Sequence, residues 1–249
     1  MVQESSGIIL KSIPFSESSI ISRVFTPDFG KISLIARGAK KSKSGSSAML
    51  EPMNIVEFQM NFNESKDLQV MRDISIQHNL STIRTNIKKM ATGLVIVEIL
   101  DKTSHQLDPS PILYRLVKSS ISQLNSLDVS EKTLYIFFLI QFSKYSGFNP
   151  ISENCHNCKR LLSSAFYNMK NGLLACKNCR SIDSIFLDCD VFLLIKEVSK
   201  TNIKNLNDIL IMQNMLQIIE KYLLRFMEFH LHGMHNIKSL SFLNSVLIK

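Results

Sequence analysis

The hydrophobic period of the chain changes once, near residue 80, and that change confines the fold to a β-rich N-terminal part followed by a helical remainder. Before it, runs rich in Ile, Val and Phe at residues 7–13, 19–26, 31–37, 54–62 and 67–77 are separated by turn residues, and none is long enough for a helix. Five short strands are expected. Thr26-Pro27-Asp28-Phe29-Gly30 places Pro where φ is fixed and Gly where φ can be positive, so strands two and three should form a hairpin. Within 54–62, Val56, Phe58, Met60 and Phe62 share one face while Glu57, Gln59 and Asn61 share the other, which gives that strand one wet side. Such strands suit a small sandwich or a five-stranded barrel of the oligonucleotide-binding type.

Beyond Leu80 the spacing turns helical. Ser81 is placed to cap a helix carrying Ile87, Met90, Leu94, Val97, Ile99 and Leu100, and the segments 109–124 and 131–146 repeat that spacing. Gly147 and Pro150 then supply a stop and a breaker. Helical spacing returns at 187–199 and at 206–232, the latter with Ile211, Met215, Leu216, Ile219, Tyr222, Leu223, Phe226 and Phe229 on one face, a core face first and a docking groove for a partner peptide as the lesser alternative. His230, His232 and His235 do not share a face and read as surface residues. With 45% hydrophobic residues the chain can close a sizeable core. No apolar run approaches the roughly 20 residues of a bilayer span, and the first residues lack a signal-peptide stretch, so a cytoplasmic protein without membrane contact is expected.

Four of the five cysteines form two pairs, Cys155-x2-Cys158 and Cys176-x2-Cys179, with seventeen residues between them. Each pair lets two thiolates reach one ion from a tight turn, and two such knuckles complete a tetrahedral sulfur shell suited to one Zn2+. Four thiolates leave no open position for an activated water, so the metal is structural. Phe166-Tyr167 before Lys170-Asn171-Gly172, and Leu173-Leu174 after it, read as a hairpin returning the second pair to the first. Lys159, Arg160, Lys177 and Arg180 flank the ligands, where their simplest role is to offset the negative charge of the thiolates, with phosphate binding as the lesser alternative. His156 reads as a loop residue and Cys189 as a small buried apolar one. A nucleobase deaminase would need an open zinc position and a His-x-Glu pair, and no His-x-Glu occurs.

The net charge of +8 suits an anionic partner. Between Phe29 and Leu50 lie Lys31, Arg37, Lys40, Lys41 and Lys43 without one acid. Lys31 and Arg37 are six apart on a strand and therefore share a face, and the other three follow on a loop rich in Ser and Gly. Such a track can follow a phosphate backbone while releasing counterions. Phe15, Phe25 and Phe29 lie near turns, where either base stacking or core packing is open to them. Arg72 would fall on the apolar face of the last strand unless a bulge re-aims it. An RNA-binding module or a protein-interaction scaffold is the alternative use of the same barrel.

These features, in this order, resemble the bacterial DNA repair and recombination mediator family RecO. The likeness is carried by Gly7-Ile8-Ile9-Leu10-Lys11, Ser16-Glu17-Ser18, Phe25 to Lys31, Ala36 to Lys43 and Leu50-Glu51-Pro52. It continues through Tyr145-Ser146-Gly147-Phe148-Asn149-Pro150, the cysteine pairs, and Leu224 to Leu231. The resemblance implies an α+β multidomain protein: an OB-fold DNA-binding domain at 1–79, a helical domain at 80–150 and 181–249, and a four-cysteine zinc module at 151–180. It further implies a non-enzymatic protein that binds single- and double-stranded DNA and anneals complementary strands. With RecR, and through the tail of the single-strand-binding protein, such a mediator assists RecA. Carried over by position, Lys31, Arg37, Lys40, Lys41 and Lys43 would touch DNA, and Cys155, Cys158, Cys176 and Cys179 would hold zinc.

Overall fold

Strands β1 (Val2–Phe15), β2 (Ser19–Thr26), β3 (Gly30–Ala36), β4 (Ile55–Asn61) and β5 (Leu68–Ile76) close into a barrel in the order β1-β2-β3-β5-β4. The structure is a computed structural model describing residues 1–41, 45–126 and 130–247. Neighbouring strands are antiparallel except β3 and β5, whose parallel pairing of Ser33 with Leu68 through Ile35 with Val70 shuts the cylinder. Closure leaves no open sheet edge and puts Ile9, Val24, Ile32, Leu34, Val56, Phe58 and Met60 into one interior. This is the five-stranded, OB-like architecture, and the alternation along β4 is seen as buried Val56, Phe58 and Met60 against exposed Glu57.

The β2–β3 hairpin forms at the Pro-Asp-Phe turn, where the Thr26 hydroxyl accepts from the Phe29 amide at 2.9 Å. β1 starts earlier than hydrophobicity suggests because the polar Val2–Ser6 stretch pairs with β4 through its backbone. In β5 the register jumps from Asp73 opposite Gln59 to Met71 opposite Met60. Arg72 is therefore the extra residue of a bulge, which turns its side chain out to solvent, where Nε donates to Asn61 Oδ1 at 2.7 Å.

After a short α1 (Ser46–Met49), the helices are α2 (Ser81–Thr85), α3 (Ile87–Thr103) and α4 (Pro111–Asn125). Ser81 does not cap the long helix. It opens α2, and Asn86 caps α3, its Oδ1 accepting the amides of Lys88 at 3.0 Å and Lys89 at 3.2 Å. α3 is buried on almost every side and packs with β1 to β5, α4 and α8 (Ser239–Leu247) in one compact unit, Met1–Asn125 with Ile237–Val246. The Glu98 carboxylate of α3 accepts from the Ser239 amide at 2.8 Å and its hydroxyl at 2.6 Å, and so caps α8 from outside. Burial opposes ionisation of Glu98, yet these hydrogen bonds prevail and lower its pKa. The unit thus joins to the barrel the helices that follow it in sequence and α8 from the far end of the chain.

The second unit covers Ser126–Asn236. Its centre is α5 (Glu131–Tyr145), buried at every residue from Thr133 to Ser143, with α6 (Cys189–Lys200) and α7 (Gln213–His230) around it. α5 ends as expected at Gly147, whose φ is +94°. The helical segment expected at 206–232 is broken. A 3-10 turn, Ile203–Asp208, comes first, and α7 starts only at Gln213. The extended link between them is held by Thr133, whose hydroxyl donates to the Ile209 carbonyl at 3.1 Å, and by burial of Ile209 and Ile211. A sheet of order β7-β6-β8 completes the unit, built from β6 (Ala165–Asn168), β7 (Leu173–Ala175) and β8 (Ser184–Leu187). Tyr167 pairs with Leu174, the hairpin expected there, while β8 precedes the helix that starts at Cys189 under an Asp188 cap. Among the described residues no helix is long and apolar enough to cross a membrane.

Candidate nucleic-acid interface and metal centre

The four knuckle sulfurs converge. Cys155, Cys158, Cys176 and Cys179 hold their Sγ atoms within 4.8 Å of one another, and Cys158 and Cys176 are 3.7 Å apart. A tetrahedral shell with metal–sulfur bonds of about 2.3 Å has sulfur–sulfur edges of about 3.8 Å, so the donor set fits one thiophilic ion. Backbone hydrogen bonds shape both turns: Lys159 N donates to Cys155 O at 3.0 Å, and Cys179 N to Cys176 O at 3.0 Å. The His156 amide donates to Leu174 O at 3.0 Å, which ties the first knuckle to β7. Lys159 adopts φ +60°, the left-handed conformation that closes the knuckle.

The electrostatics of the cluster suit a cation. Burial resists ionisation of the Cys155 thiol, but amides of Cys158, Cys176 and Asn157 aimed at its sulfur outweigh this and lower its pKa to about 6. Cys179 is pushed the other way, to about 12, by hydrogen bonds with the neighbouring sulfurs of Cys176 and Cys158. Four thiolates this close are mutually compatible only around a positive ion. His156 stays outside the sulfur cluster, as expected of a loop residue. Cys189 is exposed, contrary to its reading as a buried apolar residue, because α6 turns Val191, Phe192, Ile195 and Val198 inward and leaves Cys189 and Asp190 in solvent. Lys159, Arg160, Lys177 and Arg180 are all exposed, and none of the salt bridges among the described residues involves them.

The barrel carries the second candidate site. Arg37 is exposed just past the end of β3 at Ala36, and Lys40 and Lys41 are exposed on the turn that follows. Ala39, buried at 3%, anchors that turn in the barrel core. The Lys40 amide donates to Ser18 O at 3.0 Å and its Nζ to Ser16 O at 2.7 Å, so the turn is pinned to the β1–β2 connection. Lys43 lies outside the described residues. Lys31 stands apart from the others: it is half-buried and its Nζ donates to the Asp101 carbonyl of α3 at 2.6 Å. Burial lowers its pKa, and the nearby Asp101 carboxylate only partly counters this. Asp101 is itself buried and paired through Oδ2 with Arg23 at 2.7 Å, while its Oδ1 has no hydrogen-bond partner. Neither Arg23 nor Asp101 was legible as a pair, since they lie on elements far apart in sequence.

The aromatics divide. Phe25 is a core residue at 1% exposure, and Phe29 packs on Phe62 with ring centroids 4.6 Å apart. Phe15, at the end of β1 beside the Ser16 carbonyl that holds Lys40, is 48% exposed. His230, read as a surface residue, is half-buried between Phe148 at 4.7 Å and Phe226 at 4.4 Å, whereas His232 and His235 are exposed.

Comparison with known proteins places this architecture. The family model described as "Recombination protein O N terminal" matches residues 1–80, and that described as "Recombination protein O C terminal" matches residues 84–240. The chain is 29% identical over 155 residues to the DNA repair protein RecO of Prosthecochloris aestuarii, covering 62% of this chain and 59% of that one. It is 24% identical over 218 residues to the DNA repair protein RecO of Caldicellulosiruptor saccharolyticus, covering 87% and 88% respectively. With the DNA repair protein RecO of Syntrophobacter fumaroxidans the identity is 29% over 196 residues, or 77% of each chain. With both family models matched in order along one chain, a closed five-stranded barrel ahead of the helices and a four-cysteine cluster behind it, the protein belongs to the RecO family of DNA repair and recombination proteins.

Proposed function

We propose that the protein is a non-enzymatic, cytoplasmic mediator that binds single- and double-stranded DNA and anneals complementary strands, with residues 1–79 as its DNA-binding domain. The observation that carries this reading is the exposed Arg37–Lys41 turn, anchored in a closed OB-like barrel by Ala39 and by the Lys40 hydrogen bonds. Annealing requires two strands held close together with their bases free. Cations on an anchored turn neutralise phosphates without engaging base edges, which meets that requirement. Arg37, Lys40, Lys41 and Lys43 supply the contacts. Lys31, with its amine bonded to α3, acts through its field and fixes the orientation of β3.

Zn2+ is the ion we assign to Cys155, Cys158, Cys176 and Cys179. A closed sulfur set has no vacant position for a reacting water, in keeping with a bracing role and no chemistry at the metal. RecR, the tail of the single-strand-binding protein and, indirectly, RecA are the protein partners that fit a mediator of this family, with RecA loading onto covered single strands as the outcome.

The test is the salt dependence of DNA binding. Each phosphate contact on a single strand contributes a slope of about −0.7 to log K against log salt. Lys40→Ala combined with Lys41→Ala should weaken binding of a labelled oligonucleotide and flatten the slope by about 1.4. A double variant with the wild-type slope would remove the turn from the interface.

A further inference from the structure

The sheet in the second unit has two unlike faces. Inward, Tyr167, Leu174, Ile185 and Leu187 are buried, and Tyr167 packs on Tyr222 and Phe226 of α7 at 5.0 and 6.2 Å. The alternate residues point the other way. Phe166 of β6 is partly exposed, and Phe186, its cross-strand neighbour on β8, is 50% exposed. Their rings are stacked, with centroids 4.7 Å apart and planes at 27°. The Arg180 guanidinium lies over the Phe166 ring at 5.0 Å. Three planar groups are thus arrayed on an open surface, one of them charged. A cluster of aromatic rings left in water is unfavourable unless something covers it.

The charge around this face indicates what that is. Arg180 lies on it, Lys177 is exposed two residues past Ala175, the partner of Phe166 on β7, and Lys159 and Arg160 are exposed on the first knuckle; none of the four joins a salt bridge among the described residues. Of the acids near it in sequence, Asp183 lies 3.9 Å from Lys170 and Asp188 accepts the Val191 amide as the cap of α6. Exposed rings with a guanidinium on one of them, and a cation free of salt bridges close by in sequence, match a partner that offers flat π-faces joined by negative charges, which is an unpaired nucleic-acid strand. A duplex hides its base faces, and an acidic peptide offers few planar groups.

We propose that the Phe166–Phe186–Arg180 face is a second DNA-binding surface that holds single strands by stacking a base on Phe186 while Arg180 and Lys177 meet the adjoining phosphates. This rests on the proposed DNA-binding function and extends it: the barrel turn would take backbone of either form, and this face would select the unpaired one. Free bases held at a defined place are what a strand-annealing protein needs to present to a complementary strand.

The chain contains no tryptophan, so Phe186→Trp installs a single reporter at the stacking position. In the full-length protein, oligo-dT should quench its emission in step with binding followed by anisotropy, and a blunt duplex should not. Phe186→Ala should lose affinity for oligo-dT about fivefold or more, at unchanged salt slope and with unchanged duplex binding. Arg180→Ala should flatten the slope by about 0.7. Ile182→Ala, at a fully exposed apolar residue that cannot stack, should match wild type. Emission from Phe186→Trp that saturating oligo-dT leaves unchanged, or equal losses in Phe186→Ala and Ile182→Ala, would overturn the proposal. Failure of the wild-type protein to bind oligo-dT at all would instead strike the underlying function, and the anisotropy arm separates the two.

Discussion

Single residues decide how the barrel meets its surroundings, and Gly30 shows it most sharply. It sits at φ +65° where β3 begins, and a Cβ placed on it would lie 2.3 Å from the Asp108 carbonyl oxygen. The close approach lets Leu107 N donate to Lys31 O at 3.1 Å and brings Lys31 beside Asp101. Gly30→Ala combines a left-handed penalty of about 1–2 kcal/mol with a backbone clash, so it should cost at least about 2 kcal/mol in chemical denaturation. A loss below half of that would mean the loop yields freely. The glycine was visible in the sequence as a turn residue, but not its contact with Asp108, which depends on chain 78 residues away. The same limit explains Lys31. Its charge was legible beside that of Arg37, whereas its bond to an α3 carbonyl was not, because strand spacing reports a shared face and says nothing of what packs on it. Arg72 was legible only as a conflict between charge and an apolar face, and a bulge resolves it. The four cysteines were fully legible because their spacing alone encodes the geometry.

At the scale of elements, β structure was read more faithfully than helices. Turn residues bracket β2 to β5 closely, so their positions emerge from local chemistry, whereas the start of β1 is set by backbone pairing with β4. Helix ends depended on partners: α3 starts at the Asn86 cap, five residues after Ser81, and the link before α7 is extended because α5 supplies Thr133 to its carbonyl. α5 itself is buried all round, so it carries no polar stripe by which its neighbours could be recognised. One polar contact is nonetheless built into it. The Tyr135 hydroxyl donates to Glu220 Oε1 of α7 at 3.1 Å, with both groups buried. Burial raises the Glu220 pKa above 4.5, and the hydrogen bond from Tyr135 only partly offsets this. The folded protein therefore holds this proton at pH values where the unfolded chain has released it, so stability falls as pH rises from the ordinary carboxyl range through the raised value. Glu220→Gln keeps an acceptor and removes the charge. Thermal melts should match wild type below about pH 4 and show the variant more stable by about 1 kcal/mol near neutrality. A variant destabilised at both would assign the ionised carboxylate a favourable role.

For the whole molecule, the decisive fact is that the chain divides into two compact units, one the barrel with α2 to α4 and α8, the other α5 to α7 with the cysteine sheet. The hydrophobic period could show where strands give way to helices, at about residue 80, but not that α3 and α4 would group with the barrel, since period reports element type and not packing partner. The division predicts how the protein responds when an ion held by the four cysteines is removed. β6, β7 and β8 are four, three and four residues long, too short to persist without the two knuckles closing their ends. With no cation among them, sulfurs within 4.8 Å of one another cannot all stay anionic. Treatment with a zinc chelator should therefore abolish hydrogen-exchange protection at the amides of Lys159, Cys176 and Cys179, and leave Ile8, Val24, Ile32 and Val56 in the barrel at wild-type rates. Duplex binding, which we assign to the barrel turn, should survive with its salt slope intact, while affinity for oligo-dT falls as the Phe166–Phe186 face loses its strands. Barrel amides that exchange as fast as those of the knuckles would show that the ion braces both units, and knuckle amides that keep their protection would show that the sulfurs close without it.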